Sequence, residues 1–217
     1  VMSFIEVTLD LLQGFGTTCL LFALTLVLSI PIGLILALAS MSKFKPLKYV
    51  VRVFIWIIRG TPLMLQIIII FFGPGLLHLP ISWPSRAFAA VVAFVINYSC
   101  YFAVIYRGGF ESVPRGQYEA GQVLGMKKHQ IFFHIVLFQV FRHILPPMSN
   151  EVITLVKDTS LAQVISVGEI VFTAQNIMNN IYVIYPLFYA GVFYLLFCGV
   201  LTLVFGWLEK KTKFYRV

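Results

Sequence analysis

Charge is scarce in this chain: Lys, Arg, Asp and Glu make up 11% of its 217 residues, and only 8 are acidic. Soluble domains carry about 25% charged residues. With 60% of the residues hydrophobic and 16% aromatic, a water-soluble globule could not cover its own surface, so the solvent for most of this chain is lipid. Cysteine is scarce too. Cys19, Cys100 and Cys198 each sit inside an apolar run and read as small buried hydrophobes, which excludes a disulfide framework. No stretch has the form G-x-x-x-x-G-K-[ST], so the chain has no such phosphate-cradling loop and any ATP-derived energy must come from a partner. His78, His129, His134 and His143 make no metal set. The nearest pair is five residues apart and misses the i,i+4 face of a helical site. A membrane-embedded enzyme should show a clustered His, Asp or Ser set, and none stands out. No solenoid-length repeat or low-complexity tract appears, and the chain reads as one membrane domain, residues 1–217.

What is abundant is apolar sequence in spanning lengths. A helix needs about 20 apolar residues to cross a bilayer. Five runs qualify, at about 17–39, 61–77, 86–106, 146–167 and 184–208, the fourth interrupted by charges. The expected fold class is therefore an all-α membrane protein. The first run is a full span with no basic flank before it, which reads as a retained helix and not as a cleavable leader.

The net charge of +8 would suit a nucleic-acid partner, but its placement argues against one. Lys43, Lys45, Lys48 and Arg52 lie between spans one and two. Arg107, Arg115, Lys127, Lys128 and Arg142 lie between spans three and four, and Lys210, Lys211, Lys213 and Arg216 follow span five. The alternate connections hold only Arg86. This asymmetry is the positive-inside pattern, and it puts the N-terminus outside and the C-terminus in the cytoplasm. Lys45, Lys48, Arg52 and Arg59 recur at spacings of 3, 4 and 7, opposite Val50, Phe54, Ile55, Ile57 and Ile58. That pattern predicts a helix in the membrane interface with its basic face toward the headgroups. Thr61 would then cap span two, with Pro62 at its first position and Gly73-Pro74-Gly75 as its stop.

The fourth run carries Asn150, Glu151, Thr154, Lys157 and Asp158, with Glu151, Thr154 and Asp158 on one helical face. A charge facing lipid costs at least about 2.5–3.5 kcal/mol, so these groups should face protein or water. Two readings stay open. They line a translocation path, with the acids meeting an ammonium group, or Lys157 neutralises Asp158 or Glu151 as a structural ion pair. Arg59 has a similar duality: it faces an anionic substrate group, or it snorkels to the interface with the rest of the basic stripe, the reading its spacing favours. Gln66, Asn97 and Tyr101 are further candidates for the path. For the last two, the plain alternative is an interhelical hydrogen bond.

Between spans three and four lies a long polar loop, "ESVPRGQYEAGQVLGMKKHQ". Ser112 and Pro114 signal a helix start and Gly125 a stop, which predicts a short helix over about 114–125 that belongs to neither span. A connector of this length is either a solvated link or a functional element.

Within that loop, "EAGQVLG" (Glu119 to Gly125), followed at the right distance by Ile135 and Leu137, resembles the EAA motif of permease subunits in bacterial ABC importers. Gly121 stands where the motif has its second alanine, and Phe138 where it has proline. "RGTPLMLQ" (Arg59 to Gln66), "RGGFESVPRGQYEAG" (Arg107 to Gly121) and "KDTSLAQVI" (Lys157 to Ile165) look like the polar amino-acid group of type I permeases. The resemblance covers about Leu11 to Lys211. It implies a permease with five transmembrane helices in the bacterial cytoplasmic membrane, with a cytoplasmic coupling helix docking on an ATP-binding subunit. Glu119, Ala120, Gly121, Leu124, Gly125, Ile135 and Leu137 would form the coupling element. The implied partners are a second permease subunit, identical or homologous, two ATP-binding subunits carrying ATP and magnesium, and an extracytoplasmic substrate-binding protein. No cofactor is expected on this chain. An ion-coupled carrier or channel would account for the charged fourth span and leave the coupling helix without a purpose. The family often has Glu three residues before the Arg of "RGG"; Val104 stands there, which argues against a basic substrate handled by this subunit alone. Gly121 is expected to loosen the coupling helix by roughly 0.5–1 kcal/mol, so Gly121→Ala is expected to be tolerated or to improve coupling.

Overall fold

The computed structural model describes residues 3–80 and 82–213 and is helical throughout, with no strand among the described residues. Arg216 of the basic tail lies outside them. The first helix, α1, runs Phe4–Ser40, well before the expected start near Thr17. A capping box sets that start: Glu6 N–H donates to Ser3 Oγ and Ser3 N–H donates to the Glu6 carboxylate. One face of α1 is a buried stripe of Gly14, Thr18, Thr25, Ser29, Gly33, Ala37 and Ser40. Small residues at this spacing let a second helix come close. That helix is α4, Arg86–Glu111, which packs along α1 more extensively than any other element. A Cβ at Gly33 would sit 2.8 Å from Phe102 Cβ and 3.0 Å from the Ser99 carbonyl, so glycine is required at this crossing. Ser85 caps α4, and its last turn extends to Glu111, so "RGG" belongs to the helix and not to the loop.

Between α1 and α4 lie two helices, one over the basic stripe and one in the place of the expected second span. α2 (Lys45–Gly60) and α3 (Leu63–Leu76) meet at a bend of 105°. Alone, the 14 residues of α3 reach about 21 Å at 1.5 Å per residue, short of a bilayer. Among the described residues, four helical stretches are long and apolar enough to cross a membrane, and the bent pair is a fifth if it counts as one span. Thr61 does not cap α3. Its hydroxyl donates backward to the carbonyls of Ile57 (3.0 Å) and Ile58 (3.3 Å), closing α2, and Pro62 occupies the cap position of α3. Nor does Gly73-Pro74-Gly75 stop α3. Pro74 has no N–H for the Ile70 carbonyl, but Trp83 Nε1 from the following loop donates to that oxygen at 2.9 Å, and the helix continues to Leu76.

The basic stripe of α2 also finds partners the sequence hid. Val51 and Ile55 bury against Ala37, Cys100 and Ala103. Arg52 Nε donates to the terminal carbonyl of α1 at Ser40 (3.2 Å), and Arg59 lies over the Tyr101 ring, as described below.

After the short α5 (Arg115–Val123) the chain forms one helical run, expected to begin near Pro146 but in fact beginning at Lys128. It comprises α6 (Lys128–Ile131), a π-helical turn over Phe132–Val136, α7 (Leu137–Asp158) and a 3₁₀ turn over Thr159–Ile165. Pro146 and Pro147 are inside α7, tolerated as prolines often are in membrane helices. A further helix, α8 (Ile170–Ile181), was not foreseen between spans. Its N-cap, Glu169, is completely buried and accepts from Val171 N–H (2.8 Å), Phe172 N–H (2.7 Å) and the Tyr194 hydroxyl (3.3 Å). α9 (Tyr185–Lys213) closes the bundle against α7 and α8. The main core lies among α1, α3, α4, α7 and α9 around Phe94, Tyr98, Phe102, Leu155 and Val156.

Candidate functional site

Two places collect the chemistry-bearing residues. The first is an open cavity of about 460 Å³ bordered by the α2–α3 elbow, the middle of α4 and the C-terminal half of α7. The α7 face contributes Glu151, Thr154 and Asp158, α4 contributes Asn97, Tyr98 and Tyr101, and the elbow contributes Arg59 through Leu63. The i,i+3 and i,i+4 spacings along α7 and α4 are what put these groups on facing surfaces. Arg59 is exposed, and its guanidinium lies 5.0 Å from the centre of the Tyr101 ring, in the cavity wall. The lining therefore sets one cation against two carboxylates.

Lys157 is absent from this lining. It is exposed on another face of α7, and among the described residues the salt bridge joins Arg107 Nε to Glu111 Oε1 (3.8 Å), not Lys157 to an acid. A structural ion pair is therefore not what holds Glu151 and Asp158. Asp158 is held instead by Tyr98, whose hydroxyl donates to Oδ2 at 2.7 Å. Tyr98 was missed from the sequence. Its i,i+1 position next to Asn97 gives no helical pairing signal, and an almost fully buried tyrosine reads as core.

Gln66 does not line the cavity either; it lies behind the wall, 7% exposed. Its amide nitrogen donates to the Ile58 carbonyl (2.8 Å), the Thr61 carbonyl (3.2 Å) and Thr61 Oγ1 (2.8 Å), sharing two hydrogens among three acceptors. Its Oε1 accepts from Asn97 Nδ2 at 3.0 Å.

The second place is the loop carrying "EAGQVLG". α5 ends in a Schellman turn: Met126 N–H donates to Gly121 O (3.0 Å), Gly125 N–H to Gln122 O (2.9 Å), and Gly125 sits at φ 73°, where glycine is favoured. Glu119, Ala120, Val123 and Leu124 face outward, the last two at 87% and 77% exposure, an apolar tip left uncovered among the described residues. Gly121 faces inward. A Cβ there would lie 2.7 Å from Ile131 Cγ1 and 2.9 Å from Cδ1. Glycine is therefore the residue that lets α5 seat on Ile131, which packs with Val113, Val136 and Val140. The expectation that Gly121→Ala would be harmless ignored that contact. Ile135 joins the same cluster from the π-helical turn, while Leu137 is exposed.

Residues 29–214 match the family described as binding-protein-dependent transport system inner membrane component. The chain is 39% identical over 207 residues to the L-cystine transport system permease protein TcyB of Bacillus subtilis, covering 93% of this chain and 86% of that one. It is 33% identical over 208 residues to the glutamine transport system permease protein GlnP of Escherichia coli, covering 94% and 93%. A crystal structure of an amino acid ABC transporter with histidines superposes with a TM-score of 0.87 at 29% identity, covering 97% and 99% of the two chains. The inward-facing MetNI methionine transporter shares the fold, with a TM-score of 0.68 at 16% identity.

Proposed function

Because the chain belongs to the inner-membrane components of binding-protein-dependent transport systems, we propose that it is an amino-acid permease subunit whose cavity receives the charged backbone groups of the substrate. It is a type I ABC importer permease in a cell membrane, and the same membership favours ATP-driven transport over an ion-coupled carrier. The observation that carries the site is the opposition of Arg59 to Glu151 and Asp158 across one 460 Å³ space. A zwitterionic amino acid presents one carboxylate and one ammonium. Arg59 pairs with the first, and Asp158 and Glu151 with the second. A charge inside a membrane protein is expensive unless it is paired or wet, and a zwitterion gives each charged group of the lining an opposite partner while adding no net charge.

In this reading α5 is the coupling helix. Glu119, Ala120 and Leu124 lie on the face that meets an ATP-binding subunit, and Gly121, Ile135 and the π-helical turn connect that face to α7, which carries the acids. Leu137 extends the same face. The subunit pairs with a second permease, with two ATP-binding subunits holding ATP and magnesium beneath and an extracytoplasmic binding protein delivering substrate. The N-terminus lies outside and the C-terminus in the cytoplasm, as the Lys and Arg distribution supports. ATP binding closes the ATPase pair, and the cavity switches between inward- and outward-facing states.

The test is uptake of radiolabelled L-cystine, L-arginine and L-glutamine by proteoliposomes holding the full complex, with Arg59→Gln, Glu151→Gln and Asp158→Asn. Each substitution should cut uptake at least tenfold while the ATPase still co-purifies. Wild-type uptake by all three variants would remove the site. Uptake driven by an ion gradient without nucleotide would remove the transport mechanism.

A further inference from the structure

The elbow between α2 and α3 needs an explanation of its own. Breaking a helix in a membrane strands the last carbonyls of the first segment, and no water is at hand to solvate them. Pro62 makes matters worse, because it has no N–H to offer them. The Thr61 hydroxyl covers Ile57 and Ile58 from one side. The Gln66 amide covers Ile58 and Thr61 from the other, reaching back from the first turn of α3. With the remaining half of the same amide, Gln66 accepts from Asn97 of the cavity wall.

These contacts close a ring. Ile58 immediately precedes Arg59, and Arg59 stacks on Tyr101. Tyr101 lies one turn along α4 from Asn97, Asn97 bonds to Gln66, and Gln66 bonds back to Ile58. The one cation in the cavity wall is thereby held from two directions, by its ring partner and by the residue before it.

We infer that Gln66 is a positioning residue for substrate binding: its amide fixes the α2–α3 elbow to Asn97 and so sets where Arg59 stands, without touching the substrate. This rests on the reading of the cavity as the substrate site. Both halves of the amide are needed. Glutamate at this position would keep the acceptor for Asn97 but turn carboxylate oxygens toward the Ile58 and Thr61 carbonyls. Methionine would fill the space and make neither bond. Thr61→Val is the milder version, keeping shape and removing one hydroxyl from the elbow.

The experiment is equilibrium binding of the radiolabelled amino acid chosen from the uptake panel to the purified permease–ATPase complex, without binding protein. Gln66→Met and Gln66→Glu should each raise Kd about tenfold, because an Arg59 no longer held in place must be ordered on binding. Thr61→Val should raise it by about two- to fivefold on the same basis. The decisive arm is epistasis. In an Arg59→Gln complex, Gln66→Met should add less than about twofold, because its effect runs through a group already removed. A purely structural glutamine would lower yield and thermal midpoint and leave the Kd of the assembled fraction alone, and that result overturns the proposal. So does a full tenfold loss on top of Arg59→Gln. If Gln66→Met does not assemble, Thr61→Val decides by the same criterion. A wild-type Kd in Arg59→Gln with intact assembly would instead remove the site reading beneath the proposal.

Discussion

Adding one methyl group at Gly121 tests how α5 is seated. On helix propensity alone Gly121→Ala should gain up to about 1 kcal/mol. The structure reverses the sign. The new Cβ would lie 2.7 Å from Ile131 Cγ1 and 2.9 Å from Cδ1, well inside van der Waals contact. Ile131 is 2% exposed and packs with Val113, Val136 and Val140, so making room for the methyl disturbs that cluster. Overpacking of this kind costs about 1–3 kcal/mol, so the net effect is a loss of about 0–2 kcal/mol in how firmly α5 docks. Ile131→Ala removes every atom the methyl would meet but opens a cavity, at a cost of about 2–5 kcal/mol. The double variant should therefore be better than the sum of the two by about 1–3 kcal/mol, since the new methyl partly refills the space. The readouts are the thermal midpoint of the purified complex and the substrate-stimulated part of its ATPase rate. Gly121→Ala should lower both, and Ile131→Ala with Gly121→Ala should lie above the additive expectation. Gly121→Ala at or above wild type in both assays would refute the packing account and return the position to propensity.

Two further perturbations report on helix ends. Trp83→Phe removes the indole N–H from the Ile70 carbonyl, which Pro74 cannot serve, while keeping an aromatic ring beside Phe88. It should cost about 1–3 kcal/mol and speed amide exchange of the last turn of α3, measured by hydrogen–deuterium exchange; unchanged exchange there would show that the oxygen is satisfied some other way. Glu169→Gln keeps one acceptor for α8 but points an NH₂ group at a backbone N–H. A loss of about 1–2 kcal/mol and a lower thermal midpoint of the complex are expected, and a midpoint at or above wild type would mean the buried carboxylate is a burden.

Long apolar helices were legible because hydropathy is a local, additive signal and lipid is a uniform solvent. Their ends were not, because each end depends on a partner remote in sequence or on an overlooked cap. α1 starts early through the Ser3–Glu6 box, and α3 outlasts its proline because Trp83 supplies a donor. α7 runs through Pro146 and Pro147 and starts at Leu137, although its apolar run begins near Pro146. The acids of α7 were legible as a face because their spacing is helical. Their partner was not: Lys157, adjacent in sequence, is turned away, and Tyr98, sixty residues distant, holds Asp158. Sequence proximity on a helix is a poor guide to contact when neighbouring residues point 100° apart.

The α2–α3 elbow carries the same lesson one step further. Arg59 sits in a basic stripe at helical spacing, and periodicity assigns it to the headgroups with Lys45 and Lys48. Periodicity holds only while the helix lasts, and α2 ends at Gly60, where the axis turns by 105°. A residue in the final turn before such a bend answers to the geometry of the bend and not to the stripe behind it. That geometry is fixed by a proline without an N–H, a threonine that caps backward and a glutamine that bridges to α4. Each of these is individually unremarkable in an apolar sequence. Placed together they set the exposed Arg59 guanidinium in one wall of a cavity whose other wall carries two acids, the juxtaposition on which the proposed zwitterion site rests.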